Sequence, residues 1–268
     1  MIDDPRGRID YDESGAGPTV VLLPGSCATG AAWRPIMEAW GGRFRCVTTS
    51  LLGYGGTAER RTAADTSIAH ETDVVEAVIR RAGGPVHLVG HSYGGLVGVA
   101  VALRKAVPLA GLTVLEAPAM DILKDRGEDE HYGTFRAMSD AYAAAFRGGD
   151  REAIAAMIDF YGGAGTFASW PQRVRAYAIE TTAANLLDWQ SGYGFPLTAD
   201  ALATIGEPTL VLWGGASRPA VQRANALLGQ CIPGAATGVI DGAAHFMIAT
   251  HAKDVADLIA RHIDAIAV

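Results

Sequence analysis

Positive charge is scarce in this sequence: 22 Lys and Arg stand against 29 Asp and Glu, giving a formal net charge of -7. That balance excludes the concentrated positive field that nucleic acid or an anionic membrane surface requires, so neither is an expected partner. Long apolar runs are missing too; nothing approaches the ~20 residues of a membrane span. Cysteine is limited to Cys27, Cys46 and Cys231, an odd set without CxxC spacing. This excludes a disulfide framework or a zinc site and leaves free, mostly buried thiols as the expectation. The opening Met1-Ile2-Asp3-Asp4-Pro5-Arg6 has no apolar core and is acidic where a signal peptide is basic, which points to a cytoplasmic, soluble protein.

What is present is bulk. With 268 residues, 49% of them apolar, the chain is long enough to bury one large core without disulfide or metal support. Short apolar runs alternate with helical patterns, which predicts an α/β fold: a mostly parallel central sheet with helices on both faces. The runs are Val20 to Leu23, Phe44 to Thr48, Val86 to Val89, Leu112 to Leu115, Thr209 to Trp213 and Gly238 to Ile240. Their β-branched and leucine character suits strands buried on both faces. Between them, residues 66–82 carry Ile68, Val74, Val75, Val78 and Ile79 on one helical face, with Asp65 or Thr66 as cap and Gly83-Gly84-Pro85 as stop. Residues 93–107 are apolar nearly all round, as expected of a helix in the middle of a domain.

The alternation breaks from residue 120 to residue 200, where only helical stretches occur: 132–146, 151–160 and 172–187. The reading is a core of residues 1–119 and 201–268 interrupted by a helical lid of residues 120–200. This segment holds 12 of the 20 aromatic residues, among them Phe135, Tyr142, Phe160, Tyr161, Phe167, Trp170, Trp189 and Phe195. They suit a lid over an apolar pocket; the alternative is a small core of the segment's own.

Gly90-His91-Ser92-Tyr93-Gly94-Gly95 sits between a predicted strand and the apolar helix. A serine on so sharp a turn is held in a strained conformation, and glycines on either side remove side chains that would collide there. Its hydroxyl is presented at the carboxyl edge of the sheet, beside a helix N-terminus that favours a developing oxyanion. The clusters Gly53, Gly55, Gly56 and Gly214-Gly215 lack the phosphate-loop patterns and read as turns. Trp33 either borders the pocket or packs inside.

This elbow, with Leu22-Leu23-Pro24-Gly25-Ser26, Leu51-Leu52-Gly53-Tyr54-Gly55 and Asp241-Gly242-Ala243-Ala244-His245-Phe246, resembles the α/β-hydrolase superfamily over nearly the whole chain. The resemblance implies Ser92 as nucleophile and His245, in a small-residue loop after the last strand, as its general base. His70, His87, His91, His131, His251 and His262 suit structural roles. The third member departs from the common pattern: the loop after Pro208 to Gly214 holds Ser217 where most members carry an aspartate, and no Asp or Glu occurs from 208 to 240. Glu116, at the end of the strand Leu112 to Leu115, is the replacement, and some superfamily members are similar in using a glutamate there. Asp241, Asp121 or no acid are the alternatives. The expected oxyanion donors are the backbone N–H groups of Tyr93 and Ser26, or of Cys27 if the loop is shifted by one; Pro24 stands where a histidine is common.

The expected activity is hydrolysis of a small apolar ester or lactone through an acyl-enzyme on Ser92, with no metal or organic cofactor. Carbon–carbon bond hydrolysis by the same residues is the nearest rival, and Arg136, Arg147, Arg173 and Arg175 are available to bind an acidic substrate. A small-ligand receptor without turnover is the alternative from another class.

Overall fold

A computed structural model describes residues 1–266. Nine strands are present: β1 (Ile2–Asp4), β2 (Gly7–Ile9), β3 (Asp12–Ser14), β4 (Thr19–Leu23), β5 (Arg45–Thr48), β6 (Val86–His91), β7 (Leu109–Leu115), β8 (Thr209–Gly214) and β9 (Ala236–Ile240). The first two form a separate hairpin; the other seven build one sheet in the order β3-β5-β4-β6-β7-β8-β9. Only the β3–β5 pair is antiparallel, and every other neighbour runs parallel.

Among the described residues thirteen α-helices surround the sheet: α1 (Arg34–Trp40), α2 (Ala69–Ala82), α3 (Tyr93–Arg104), α4 (Met120–Asp125), α5 (Asp129–Arg147), α6 (Ile154–Gly162), α7 (Thr166–Ser169), α8 (Gln172–Glu180), α9 (Thr182–Tyr193), α10 (Ala199–Leu202), α11 (Pro219–Cys231), α12 (Met247–Thr250) and α13 (Ala252–Ile266). Among the described residues no helix is long and apolar enough to cross a membrane.

The unbroken apolar runs follow from burial on both faces. In β4, Val21 and Leu23 enter one core with α2, α3 and α11, while Val20 and Leu22 enter the other with α1 and α13. Side chains alternate across a strand, so a strand between two helical layers has no polar side to show. α3 packs on β6 and β7 at the centre of the first layer, which accounts for its apolar circumference.

From β7 to β8 the chain is helical throughout, α4 to α10, in keeping with the missing strand signal. Details differ from expectation. The run 172–187 is two helices, broken at Thr181, whose hydroxyl turns back to the Tyr177 carbonyl at 2.8 Å. α2 begins later than predicted, and Ser67 rather than Asp65 or Thr66 accepts from its first residue, Ala69, at 3.2 Å. Trp33 is fully buried and packs inside, in the second core.

Candidate active site

β6 ends in a turn that fixes Ser92 at φ 54° and ψ -127°, with α3 starting at the next residue. The turn has no room for side chains on either flank. A Cβ at Gly90 would meet the Gly94 carbonyl oxygen at 2.2 Å, and one at Gly94 would meet the Pro24 carbonyl oxygen at 2.3 Å. Among the described residues Ser92 is one of four non-glycine residues with positive φ; Cys27 and Glu116 are two others at the same edge of the sheet. Strain gathered at one place marks a site whose geometry the surrounding fold enforces.

Residues distant in sequence meet here. His245 Nε2 lies 3.0 Å from Ser92 Oγ, and His245 Nδ1 lies 2.7 Å from Glu116 Oε2. The second Glu116 oxygen accepts the Gly214 N–H at 2.7 Å and the Ser217 hydroxyl. Burial works to raise the Glu116 pKa, but His245, Ser217 and Gly214 outweigh it and hold the carboxyl below its usual range. Ser217, where the sequence resemblance led to the expectation of an aspartate, thus supports the carboxylate of the neighbouring strand. Asp241 is exposed, and Asp121 is only partly buried on α4, outside this chain of contacts.

Three supports were not foreseen. His91 Nε2 lies 2.8 Å from the His245 carbonyl oxygen; burial, then the neighbouring His245, push the His91 pKa down to about 3, so a neutral ring donates this bond. Tyr161 of α6 stacks on the His245 ring, with centroids 4.2 Å apart. Asn225 of α11, fully buried, accepts the Ala117 N–H at 2.9 Å and donates to the Ala117 carbonyl at 3.1 Å, pinning the residue after Glu116.

The loop after β4 lies across from the elbow: a Cβ at Gly25 would meet Ser92 Cβ at 2.9 Å. Tyr93 opens α3, so its N–H has no intrahelical acceptor. Beside this loop sits a buried ion cluster. Arg61 donates to Glu59 at 2.9 and 2.8 Å and to Asp188 of α9 at 2.7 Å, and lies 3.4 Å from Glu71. Burial opposes the Arg61 charge, but Glu59, Asp188 and Glu71 outweigh it and raise the pKa above the arginine norm. Asp188 also accepts from Ser26 Oγ at 2.5 Å and from Tyr54 at 2.6 Å.

A cavity of about 490 Å³ opens over Ser92 and His245. Its walls come from the loop after β4, from α6, α8 and α9, and from Phe246 and Ile248; they are mainly apolar, with Asn185, Asp188 and Ser26 as a polar corner. Of the eight named aromatic residues, Tyr161, Trp170 and Trp189 line it. Phe135, Tyr142, Phe160 and Phe167 are buried in the one hydrophobic cluster that also holds Val21, Leu96 and Val114 of the sheet and α3, so they do not form a separate core of the helical segment. Arg136, Arg147, Arg173 and Arg175 are not in the cavity wall. Among the described residues no group of three or more His, Cys, Asp or Glu is arranged to hold a metal ion.

A profile of the alpha/beta hydrolase family matches residues 20–258. The chain belongs to the α/β-hydrolase family. Within it, 113 residues are 32% identical to haloalkane dehalogenase 2 of Mycobacterium tuberculosis, covering 42% of this chain and 39% of the relative. Over 153 residues it is 30% identical to protein phosphatase methylesterase 1 of Bos taurus, covering 52% and 40%. The matches thus span about two fifths of the length of these curated relatives. The enol-lactonase from Burkholderia xenovorans LB400 superposes with a TM-score of 0.77 over 97% of this chain and 98% of its own, at 19% identity, a likeness of fold alone.

Proposed function

We propose that this α/β hydrolase cleaves a carboxylic ester or lactone of a small, largely apolar substrate through an acyl-enzyme on Ser92. The observation that carries the reading is the unbroken relay from the Ser92 hydroxyl through both nitrogens of His245 to Glu116, at 3.0 and 2.7 Å, opening into a mainly apolar cavity. Glu116, acceptor-only as a carboxylate, selects the tautomer with the proton on Nδ1, so Nε2 is free to take the Ser92 proton.

Ser92 Oγ gives its proton to His245 Nε2 as it bonds to the carbonyl carbon, and the oxyanion receives the N–H groups of Tyr93 and Ser26. The carbon–oxygen bond to the leaving group then breaks, and that oxygen takes the proton from His245. Water next yields a proton to His245 and attacks the acyl carbon; the bond to Ser92 breaks and the serine is reprotonated. The products are an acid and an alcohol, or one hydroxy acid from a lactone. Residues 120–200 serve in this cycle as a lid that excludes bulk water.

Serine argues against alkyl halide displacement despite the dehalogenase likeness: attack on an alkyl halide would leave an ether, which offers the second water no carbonyl. The four arginines outside the cavity wall leave no basic side chain from this set to hold an acidic diketone, so ester or lactone cleavage is favoured over carbon–carbon cleavage. A fluorophosphonate probe should label the wild type and spare Ser92→Ala, and a panel of p-nitrophenyl esters and lactones should be turned over by the wild type alone. Labelling without turnover across the panel would replace this reading with that of a ligand receptor.

A further inference from the structure

In the proposed cycle Ser26 and Tyr93 lend backbone N–H groups to the oxyanion, and on that reading this inference rests. Their side chains end on one buried ion pair. Ser26 Oγ donates to Asp188 Oδ2 at 2.5 Å, the Tyr93 hydroxyl lies 3.3 Å from Arg61 Nη1, and that same Nη1 is 2.7 Å from Asp188 Oδ1. The four residues come from separate parts of the chain: the loop after β4, the start of α3, the segment before α2, and α9. The Arg61 side chain is fully buried and that of Asp188 is 3% exposed.

Only three bonds separate the Ser26 hydroxyl oxygen from the Ser26 amide nitrogen, so fixing the hydroxyl on a buried carboxylate fixes the amide. Oxyanion donors work within a few tenths of an ångström of their optimum, which makes this placement matter to rate. A carboxylate alone at this position would repel the developing negative charge; Arg61 offsets it. Burial, chiefly, pushes the neighbouring Glu71 carboxyl up to about 8, so it adds little negative charge at neutral pH.

We infer that the Arg61–Asp188 pair is a positioning device for the oxyanion hole: it sets the amides of Ser26 and Tyr93 at the spacing a tetrahedral oxyanion needs and ties that spacing to the seating of α9 over the sheet edge. Asp188 and Arg61 are positioning residues: both Asp188 oxygens and the Nε, Nη1 and Nη2 atoms of Arg61 already bond protein groups. A misplaced α9 would then loosen the oxyanion hole without touching Ser92 or His245.

The test uses the full chain with p-nitrophenyl butyrate as substrate and phenylboronic acid as a probe whose tetrahedral serine adduct fills the oxyanion hole. Ser26→Ala and Asp188→Asn should each lower kcat by about 100-fold while KM stays within about threefold. Boronate affinity should fall in step with kcat/KM, and the double variant should be no worse than the less active single, because the one contact Ser26→Ala removes is among those Asp188→Asn removes. Folded variants with kcat within about threefold of wild type, losses confined to KM, or additive losses would overturn the inference. Should Asp188→Asn fail to fold by circular dichroism, Ser26→Ala and Tyr93→Phe decide by the same criteria. A wild type that neither hydrolyses esters nor takes the fluorophosphonate at Ser92 overturns the functional reading itself, and this inference with it; an active wild type with indifferent variants overturns this inference alone.

Discussion

Glu116→Gln is the most discriminating substitution for the relay. One oxygen of Glu116 is held by two donors, the Gly214 N–H at 2.7 Å and the Ser217 hydroxyl, so the carboxamide oxygen of a glutamine must take that place. Its NH₂ group then faces His245 Nδ1, where the carboxylate oxygen stood at 2.7 Å. Two donors cannot share that contact, and the imidazole is driven to the other tautomer, with the proton on Nε2 facing Ser92. That ring cannot accept the serine proton. The expected loss is about 10⁴ in kcat, equivalent to roughly 5 kcal/mol of transition-state stabilisation, with the thermal midpoint little changed because both acceptor contacts survive. Steady-state hydrolysis of p-nitrophenyl butyrate and a thermal melt measure the two quantities, with the exposed Asp241→Asn as control. A Glu116→Gln enzyme within about tenfold of wild type, or a larger loss in Asp241→Asn, would refute the assignment of the acid.

Stability should peak near pH 6.5. From pH 4.5 up to about 8 the folded state alone retains the Glu71 proton, its pKa being raised from 4.5 to about 8 chiefly by burial, so stability loses about 1.4 kcal/mol per pH unit through that window. Below pH 6.5 the unfolded chain gains protons that the rings of His91, His87 and the half-buried His262 refuse, their pKa values being lowered chiefly by burial, and together they outweigh the Glu71 slope; urea midpoints from pH 5 to 8.5 that show no maximum would contradict this, and Glu71→Gln should remove the alkaline limb and steepen the acid one. Tyr161→Leu forfeits the 4.2 Å stack on His245 and should lower kcat by roughly two- to tenfold, in line with the worth of an aromatic pair; an unchanged kcat would make the stack incidental. Asn185 lines the cavity with its carboxamide oxygen buried and without a hydrogen-bond partner. Asn185→Leu should therefore raise kcat/KM for purely aliphatic esters relative to hydroxylated ones, and an unaltered ratio would remove it from substrate selection.

The sheet and the elbow were legible in the sequence because each is written locally. A strand buried on both faces leaves an unbroken apolar run, as at Val20 to Leu23, and the collisions at Gly90 and Gly94 demand glycine. The contact of Glu116 with His245 was reachable because the absence of an acid at Ser217 sends attention to the adjoining strand end. The three-residue strands β1, β2 and β3 were not legible, being too short and too charged to show a period. Nor was the Arg61–Asp188 pair: Glu59-Arg60-Arg61 reads as a solvated charge run, and its partner lies 127 residues away. The aromatic richness of residues 120–200 gave no way to tell Tyr161, which faces the cavity, from Phe135, which does not, since both sit on helices with apolar neighbours.

The exchange of seats between Glu116 and Ser217 bears on how such a site is specified. β7 and β8 finish side by side, Leu115 opposite Leu212, and the Glu116 N–H reaches back to the Leu212 carbonyl at 3.0 Å. An imidazole at this address answers to a location rather than to a chain segment, and two segments deliver to it. Here β7 brings the anion, and β8 with the turn after it is left free to hold that anion in place through the Gly214 N–H and the Ser217 hydroxyl.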